Sequence, residues 1–385
     1  MKKELIKCIK KNNILSLLLN VLRLLHTVSL SKIDGSKKKH PKVIQLPITY
    51  KCNSRCVMCN VWRMDHKGEA TVEEFADFMD DDIFKKVEAV GVNGGEPSLV
   101  PNLENYIDEI LKLPALKSLN IITNGFYQKA LLNKIEKIYI ACKKKGATFH
   151  VSISLDGVND IHNKVRGKST AFEKTISTID MIMKNQPVYC DSFDLGCTVL
   201  KQNIDYLIEL DVYARSKQLN IKYRLGIDNK RIESDKLREQ YSVLCDPLRQ
   251  SAKEFFHYQI ARSNNILDKF KYFSIFHWLN SDQPKRLLGC IWKDEGITLD
   301  ARGEISYCAV ASNNIGSLRE GNGEEIFFND INIEYRKNII QNNCDACIHD
   351  YSGKIEIHAV IIFFKYMISS ALAMHIYRVK SRFML

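Results

Sequence analysis

The 385-residue chain is long enough for one large α/β domain with an appended module, or for two ordinary domains. Its apolar fraction of 45% and charged fraction of 26% are typical of a folded globular protein, and no repeat or low-complexity tract indicates a fibrous or disordered class. Five of the 12 cysteines stand in two close-spaced groups (Cys52, Cys56 and Cys59; Cys344 and Cys347) of a large chain, which favours metal ligation over the disulfide scaffold of a small secreted protein.

The formal net charge is +11, and much of the excess lies near the two ends of the chain, beside apolar stretches. This placement fits an anionic membrane surface better than a nucleic-acid groove, so nucleic acid is not an expected partner. A solvated basic tail is an equal alternative. We predict a basic amphipathic N-terminal extension (1–42), an apolar and basic C-terminal helix (351–385), and a cytoplasmic protein whose termini could contact a membrane peripherally.

Between the termini, short β-rich runs alternate with helix-length amphipathic segments, which is typical of βα units and a parallel sheet. Helical patterns begin near Thr71, Asn102, Ala130, Ala171 and Ile204. The six strand candidates are residues 43–49, 87–93, 118–123, 148–155, 193–200 and 221–225. Because no seventh and eighth unit is evident, the pattern predicts an α/β fold with a partial (β/α)6 TIM-like barrel over residues 43–275.

Unusual residues follow the ends of the first four predicted strands, where the chemistry of such folds collects. In order they are the cysteine triplet, Asn93-Gly94-Gly95-Glu96-Pro97, Thr123-Asn124-Gly125, and Ser154 with Asp156. On the fourth strand the alternation of polar and apolar residues puts Ser152, Ser154 and Asp156 on one face, which we expect to face the barrel interior.

The triplet of Cys52, Cys56 and Cys59 has the spacing C-x3-C-x2-C, compact enough for three thiolates to hold one iron-sulfur cluster. A 4Fe-4S cluster with three protein ligands leaves one iron open to an exogenous ligand. Two other interpretations compete: a zinc site, which prefers four protein ligands, and cysteines without a metal. Gly94 and Gly95 would let the backbone approach a ligand closely, and Glu96 is an acceptor suited to an ammonium group.

With this glycine-rich segment one strand after the triplet, the sequence resembles the radical S-adenosylmethionine (radical SAM) superfamily. The resemblance implies that the open iron binds S-adenosylmethionine, which is cleaved reductively to a 5′-deoxyadenosyl radical that abstracts hydrogen from substrate. A low-potential donor such as flavodoxin or ferredoxin would supply the electron. Cofactor-binding positions implied by the resemblance are Met58 beside the adenine, Asn93, Gly94, Gly95, Glu96, Asn124, Ser154, Asp156, and Arg166 at the methionine carboxylate. For Ser154 and Arg166, a capped strand end and a surface arginine are the structural alternatives.

A second cysteine set follows the barrel: Cys290, Cys308, Cys344 and Cys347. Four thiolates can close a cluster completely, and the set resembles the twitch form of the SPASM extension, which holds one auxiliary 4Fe-4S cluster. A zinc ribbon is the alternative. We predict a small iron-sulfur domain over residues 276–350, whose cluster would accept an electron from a substrate radical.

The sequence leaves the substrate open. We expect oxidation or epimerisation of a carbohydrate or polyol, as in glycan biosynthesis, because too few residues precede the first strand for a peptide-docking domain. A SPASM-type peptide maturase, an RNA-modifying enzyme and a non-catalytic iron-sulfur or zinc protein are alternatives. Cys197 and Cys245 are candidate hydrogen donors to a substrate radical: we expect Cys197 to point into the barrel from the fifth strand and Cys245 to lie on the following helix.

Overall fold

The structure is a computed structural model that describes residues 22, 28, 29, 33, 35–349 and 353–383. The predicted N-terminal helix therefore lies almost wholly outside the described residues. The chain divides into two compact units. The larger unit comprises residues 34–252 and 292–345, and the smaller unit comprises residues 1–33, 253–291 and 346–385.

The larger unit is built on a nine-stranded, mostly parallel sheet. Its six central strands are those that the sequence predicts, with ends within two residues: β2 Val43–Pro47, β3 Ala89–Asn93, β4 Ser118–Thr123, β5 Thr148–Ser154, β6 Ser192–Val199 and β7 Ile221–Leu225. Each pairs in parallel with the next in chain order. The predicted partial α/β barrel is thereby confirmed.

Helices follow the strands in the alternation that the sequence predicts. The first is capped by a Thr71 hydroxyl that accepts from Glu74 N while the Glu74 carboxylate accepts from Thr71 N. In chain order the helices are α1 Val72–Met79, α2 Leu103–Leu111, α3 Gln128–Lys145, α4 Asp160–Arg166, α5 Ala171–Lys184, α6 Gln186–Tyr189, α7 Leu207–Ser216, α8 Arg238–Tyr241, α9 Leu248–Arg262, α10 Ile266–Leu279, α11 Gly323–Phe328, α12 Asp330–Ile339 and α13 Ile357–Phe383.

The two faces of the barrel strands differ in polarity, as the alternation on β5 predicts. Val151 and Ile153 are fully buried, while Ser152 and Ser154 on the opposite face are partly exposed. The apolar face packs into a core that also contains Ile121 and Leu195, both fully buried. The polar face therefore lines the barrel interior and leads to the strand ends where the candidate site lies.

Three strands from the predicted C-terminal module extend the same sheet, which the sequence did not indicate. They are β8 Gly296–Leu299, β9 Glu304–Ser306 and β10 Gly316–Ser317. β8 pairs in parallel with β2, and β9 and β10 continue as antiparallel hairpins. Much of the predicted 276–350 module thus belongs to the larger compact unit, and the predicted domain limits at 275 and 350 stay a prediction.

The smaller unit contains α10 and α13 and a short parallel pair, β1 Val28–Ser29 with β11 Ile355–Glu356. Aromatic rings join the two helices: Phe273 lies 4.7 Å from the Tyr366 ring and 5.3 Å from the Phe363 ring, between centroids. Over the part of the chain that the structure describes, no helix has the length and apolar character needed to cross a bilayer.

Candidate active site

The loop of the cysteine triplet is held against the end of α4 by backbone hydrogen bonds. Arg55 N donates to Arg166 O at 2.9 Å, and Val57 N donates to Val165 O at 3.0 Å. The next residue, Gly167, has a φ of +63°, and a Cβ there would lie 2.4 Å from Arg55 O. Glycine is thus required for the close approach that brings Arg166 to the cysteine loop.

Hydrogen-bond donors surround the cysteine sulfurs. Ser54 N donates to Cys52 Sγ at 3.5 Å, Ser54 Oγ lies 3.0 Å from Cys56 Sγ, and Arg166 Nη1 donates to Cys56 Sγ at 3.6 Å. Burial raises the pKa of Cys52 to about 12 and that of Cys59 to about 11. At Cys59, the positive charge of Arg231 partly opposes this increase. Metal binding must therefore displace protons from these thiols, and the donors suit the thiolates that result.

The segment Asn93–Glu96 packs its backbone directly on the residues that precede Cys52. Gly95 N donates to Thr49 O at 2.6 Å, and Glu96 N donates to Lys51 O at 2.8 Å. A Cβ on Gly95 would lie 2.0 Å from Lys51 O, so any other residue would push the two segments apart. The two glycines therefore set the spacing between the ends of β2 and β3.

Glu96 and Asn124 join the ends of β3 and β4 to the cysteine loop. The buried Glu96 carboxylate accepts from Ser98 N at 3.1 Å, Thr123 Oγ1 at 2.6 Å and Asn124 N at 2.8 Å. Asn124 Nδ2 in turn donates to Asn53 Oδ1 at 2.7 Å, between the first two cysteines. Glu96 thus positions the site through three hydrogen bonds, two to Oε1 and one to Oε2, so Oε2 keeps capacity for a further donor.

Asp156 and Arg166 form a buried ion pair at the end of β5. Arg166 Nη2 lies 2.5 Å from Asp156 Oδ2, and the two residues are 8% and 0% exposed. Although burial favours the neutral form of Arg166, the charges of Asp156 and Cys56 outweigh it and raise the pKa of the guanidinium. Arg166 is therefore not a surface arginine, and its role at the methionine carboxylate stays a prediction.

Three other predicted positions have distinct surroundings. Met58 packs with Val57 against a buried apolar cluster that includes Leu200 and Tyr241. Ser154 is partly exposed at the end of β5, on the face of Ser152. Asn93 Oδ1 is buried without a hydrogen-bond partner. These surroundings are compatible with an adenine beside Met58, a ligand hydroxyl at Ser154 and an ammonium group at Asn93.

The two candidate hydrogen donors lie apart from the polar face of the barrel. Gly196 is on the face of Ser152, since a Cβ there would lie 3.8 Å from Ser152 Oγ, and the next residue, Cys197, points to the opposite face. Cys197 is fully buried, and its Sγ contacts Thr198 O at 3.7 Å and Asn203 Nδ2 at 3.8 Å. The expectation that Cys197 faces the barrel interior is wrong. Cys245 is exposed in the loop between α8 and α9 rather than on a helix.

The second cysteine set is divided between the two units. Cys308 and Cys344 belong to the larger unit, where Ala311 N donates to Cys308 Sγ at 3.4 Å. Cys290 and Cys347 belong to the smaller unit, where Arg286 Nη1 donates to Cys347 O at 3.1 Å. The prediction that the four hold one auxiliary cluster stays a prediction.

The residues of the first set fit an iron-sulfur cluster. Within residues 35–349 and 353–383, no three Cys, His, Asp or Glu side chains are arranged to hold one ion. The thiolates of a four-iron cluster each bind a different iron and need not meet at one point. The donors on Cys52 and Cys56, together with buried Asn53 Nδ2, which has no hydrogen-bond partner, suit an anionic sulfur-rich group at this place.

Residues 46–212, which contain this entire constellation, match the family model described as the Radical SAM superfamily. This part of the chain is therefore similar to a radical SAM domain. Domains of this superfamily use a 4Fe-4S cluster and S-adenosylmethionine, which is consistent with the predicted cofactors.

Curated relatives cover only part of this chain. GTP 3′,8-cyclase of Listeria monocytogenes is 26% identical over 185 residues, which are 47% of this chain and 52% of that protein. AdoMet-dependent heme synthase of Methanosarcina barkeri is 28% identical over 175 residues, which are 43% of this chain and 44% of that protein. The chain thus spans about half the length of the curated relatives that it matches.

Solved structures share the fold over a longer stretch. The structure of anSMEcpe with bound AdoMet covers 86% of this chain and 98% of its own, with a TM-score of 0.59 and 16% identity. SuiB of Streptococcus suis bound to S-adenosylmethionine covers 77% of this chain and 68% of its own, with a TM-score of 0.53 and 15% identity. At these identities the likeness shows the fold alone.

Several residues of the site were not found from the sequence. Glu69 accepts from Tyr50 N at 2.6 Å and from Thr49 Oγ1 at 2.9 Å, and so fixes the chain before Cys52. Asp194 inside the barrel accepts from Ser152 Oγ at 2.8 Å and pairs with Lys222 Nζ at 2.5 Å. The alternation on β6 could have indicated Asp194, whereas nothing in the sequence around Glu69 points to its contact.

Proposed function

We propose that this chain is a radical SAM enzyme that abstracts hydrogen from a carbohydrate or polyol and oxidises or epimerises it. The observation that carries the proposal is the convergence of the three cysteines, Glu96, Asn124 and the Asp156–Arg166 ion pair at the ends of four neighbouring strands. When bound, the cluster and S-adenosylmethionine supply a 5′-deoxyadenosyl radical at this position.

The chain's own residues hold and orient these groups. Cys52, Cys56 and Cys59 bind the cluster, and Gly95 keeps the ends of β2 and β3 close enough to form one wall of the site. Arg166 carries a positive charge between Asp156 and Cys56 that can accept the carboxylate of S-adenosylmethionine as a further partner. Met58 offers an apolar, polarisable surface for a base.

The polar barrel interior supports a hydroxylated substrate. His150, Ser152 and Asp194 share the inner face, with Asp194 Oδ1 within 3.2 Å of His150 Nε2. These groups already hydrogen-bond one another, and the hydroxyl groups of a polyol, which both donate and accept, can join such a network. In this proposal the second cysteine set holds the auxiliary cluster that removes the electron when the outcome is oxidation.

The test is anaerobic reconstitution with iron and sulfide, followed by S-adenosylmethionine and a low-potential reductant. Formation of 5′-deoxyadenosine and methionine is expected from the wild-type chain, and their absence would contradict the radical proposal. Sugar nucleotides, free polyols and peptides are then tested as substrates in separate assays, because the fold is compatible with all three classes. Turnover with a peptide, but with no hydroxylated small molecule, would replace the carbohydrate proposal by peptide modification.

A further inference from the structure

A short segment of the larger unit connects the loops that follow Cys59 and Cys308. Directly after Cys59, Asn60 N donates to Ile232 O at 3.0 Å and Asn60 Nδ2 donates to Glu233 O at 3.3 Å. Directly after Cys308, Ala309 O accepts from Arg231 N at 3.1 Å. Residues 229–234, which we call the connecting segment, are thus tied to one cysteine of each set.

A cavity of about 270 Å³ opens beside the connecting segment. Its wall combines Arg231 and Lys230 with Tyr50, two residues before Cys52, and with residues of β8 and β9 and the loop after Cys308. This volume approaches the lower end of the range for small-molecule sites, so the cavity suits a small ligand or one end of a larger one.

The positive charge of Arg231 has no carboxylate partner. Its Nε and Nη1 atoms are buried without a hydrogen bond, and among the described residues no ion pair includes Arg231. Asp300 and Glu304 are the acidic residues of the wall, and Asp300 is already engaged, because it accepts from Tyr50 Oη at 2.6 Å and from the backbone N of Arg302 and of Glu304. Burying a guanidinium without a partner destabilises the folded protein, and a bound anion would offset this loss.

We propose that this cavity binds an oxyanion, a carboxylate or phosphate group of the substrate, with Arg231 as its principal ligand. The planar guanidinium can donate two parallel hydrogen bonds to either group. Lys230 adds a second positive charge at the exposed rim, where its Nζ donates to Asn313 Oδ1 at 3.0 Å. The identification of the oxyanion as part of a substrate rests on the proposed function, whereas binding of the anion does not.

The test titrates the reconstituted holoprotein with inorganic phosphate and, separately, with acetate, at constant ionic strength set with sodium chloride. Calorimetry gives the affinity, and thermal unfolding gives an independent readout. We expect saturable binding of at least one anion, with Kd about tenfold weaker in Arg231→Gln and intermediate in Arg231→Lys, which keeps the charge but loses the planar fork. Binding of phosphate alone or of acetate alone identifies the group.

The matched control is Lys174→Gln, which removes one positive charge from an exposed position of α5 and should leave both affinities within about twofold. Arg231→Gln should keep the iron content of the wild type and unfold cooperatively without anion, and these two readouts separate lost anion binding from misfolding or loss of the cluster. The proposal is overturned if neither anion binds saturably or if Arg231→Gln binds as tightly as the wild type. A wild-type protein that binds anion but forms no 5′-deoxyadenosine would contradict the proposed function alone.

Discussion

The two cysteine sets of this chain differ in their spacing along the sequence and in the compact units that contain them. The first set occupies eight consecutive residues of one loop, inside one compact unit, and hydrogen bonds from the ends of β3 and β4 and from α4 hold that loop. The second set spreads over residues 290–347 and draws two cysteines from each unit. A site made by one loop is specified by local spacing, whereas a site assembled from distant segments is specified by packing.

The strongest test of this difference is Cys56→Ser in the first set. Removing one of three ligands should lower the iron content by about four per chain and reduce 5′-deoxyadenosine formation by at least about a hundredfold. Iron analysis and product chromatography measure both. The control is Cys142→Ala, which removes a buried thiol of α3 outside both sets. Unchanged iron in Cys56→Ser would break the assignment of the first set.

The second set is tested by the double variant Cys308→Ala with Cys344→Ala. The wild type should contain about eight irons, from two four-iron clusters, and the variant about four. Cleavage of S-adenosylmethionine should persist in the variant, since the first set is intact, while substrate oxidation is lost. A metal content of about four irons and one zinc per wild-type chain would contradict the auxiliary-cluster prediction and favour a zinc ribbon.

Asp156→Asn tests whether the surroundings of the first set are as specific as its spacing. Arg166 would keep its charge without a carboxylate partner in a buried place, so we expect the free energy of unfolding to fall by about 3 kcal/mol. Urea unfolding of the apoprotein measures it. Asp205→Asn, at an exposed position, is the control and should change stability by less than about 0.5 kcal/mol. Equal stabilities of the two variants would show that the ion pair contributes little.

A substitution of Asp194 tests what stabilises the sheet that carries the first cysteine set, and the test needs no cofactor. Burial alone would raise the pKa of Asp194, but hydrogen bonds and charge from His150 and Lys222 lower it to about 2. A carboxyl with a lowered folded-state pKa stabilises the fold above its unfolded pKa, near 4, and loses that effect as the pH falls toward 2.

Asp194→Asn should therefore destabilise the apoprotein by about 2 kcal/mol at pH 7, and the difference should shrink to about half at pH 3. Urea unfolding at the two pH values measures it, and a difference that does not depend on pH would contradict the ionic explanation. Asp180→Asn, on the exposed side of α5, provides the reference.

The smallest effect is expected for Cys197→Ala. Because Cys197 is buried on the apolar face, the variant should lose about 1 kcal/mol of stability and keep its product unchanged. Cys245→Ala, at an exposed position, should change stability by less than about 0.5 kcal/mol. A switch from epimerised to unsaturated or oxidised product in either variant would identify that thiol as the hydrogen donor after all.

The alternation of polar and apolar residues in the strands and the amphipathic repeat of the helices closely predicted the six parallel strands and the helices between them. Each of these patterns lies within about ten residues of chain. The same period, applied to β6, would have placed Cys197 on the face of Leu195, away from the barrel interior. The sheet extension by β8 escaped detection because its pairing with β2 joins residues about 250 positions apart, which no local pattern records.

Local spacing in the sequence was sufficient to find the cysteine loop and the glycine-rich segment, and to predict the similarity of residues 46–212 to the radical SAM superfamily. The folded chain was needed to find the partners of Arg166, the contact of Glu69 with Tyr50, and the cavity beside Arg231. The physical reason is distance along the chain. A motif within one loop carries its geometry in its spacing, but an ion pair, a buried acceptor or a cavity wall exists only after separate strands have packed together.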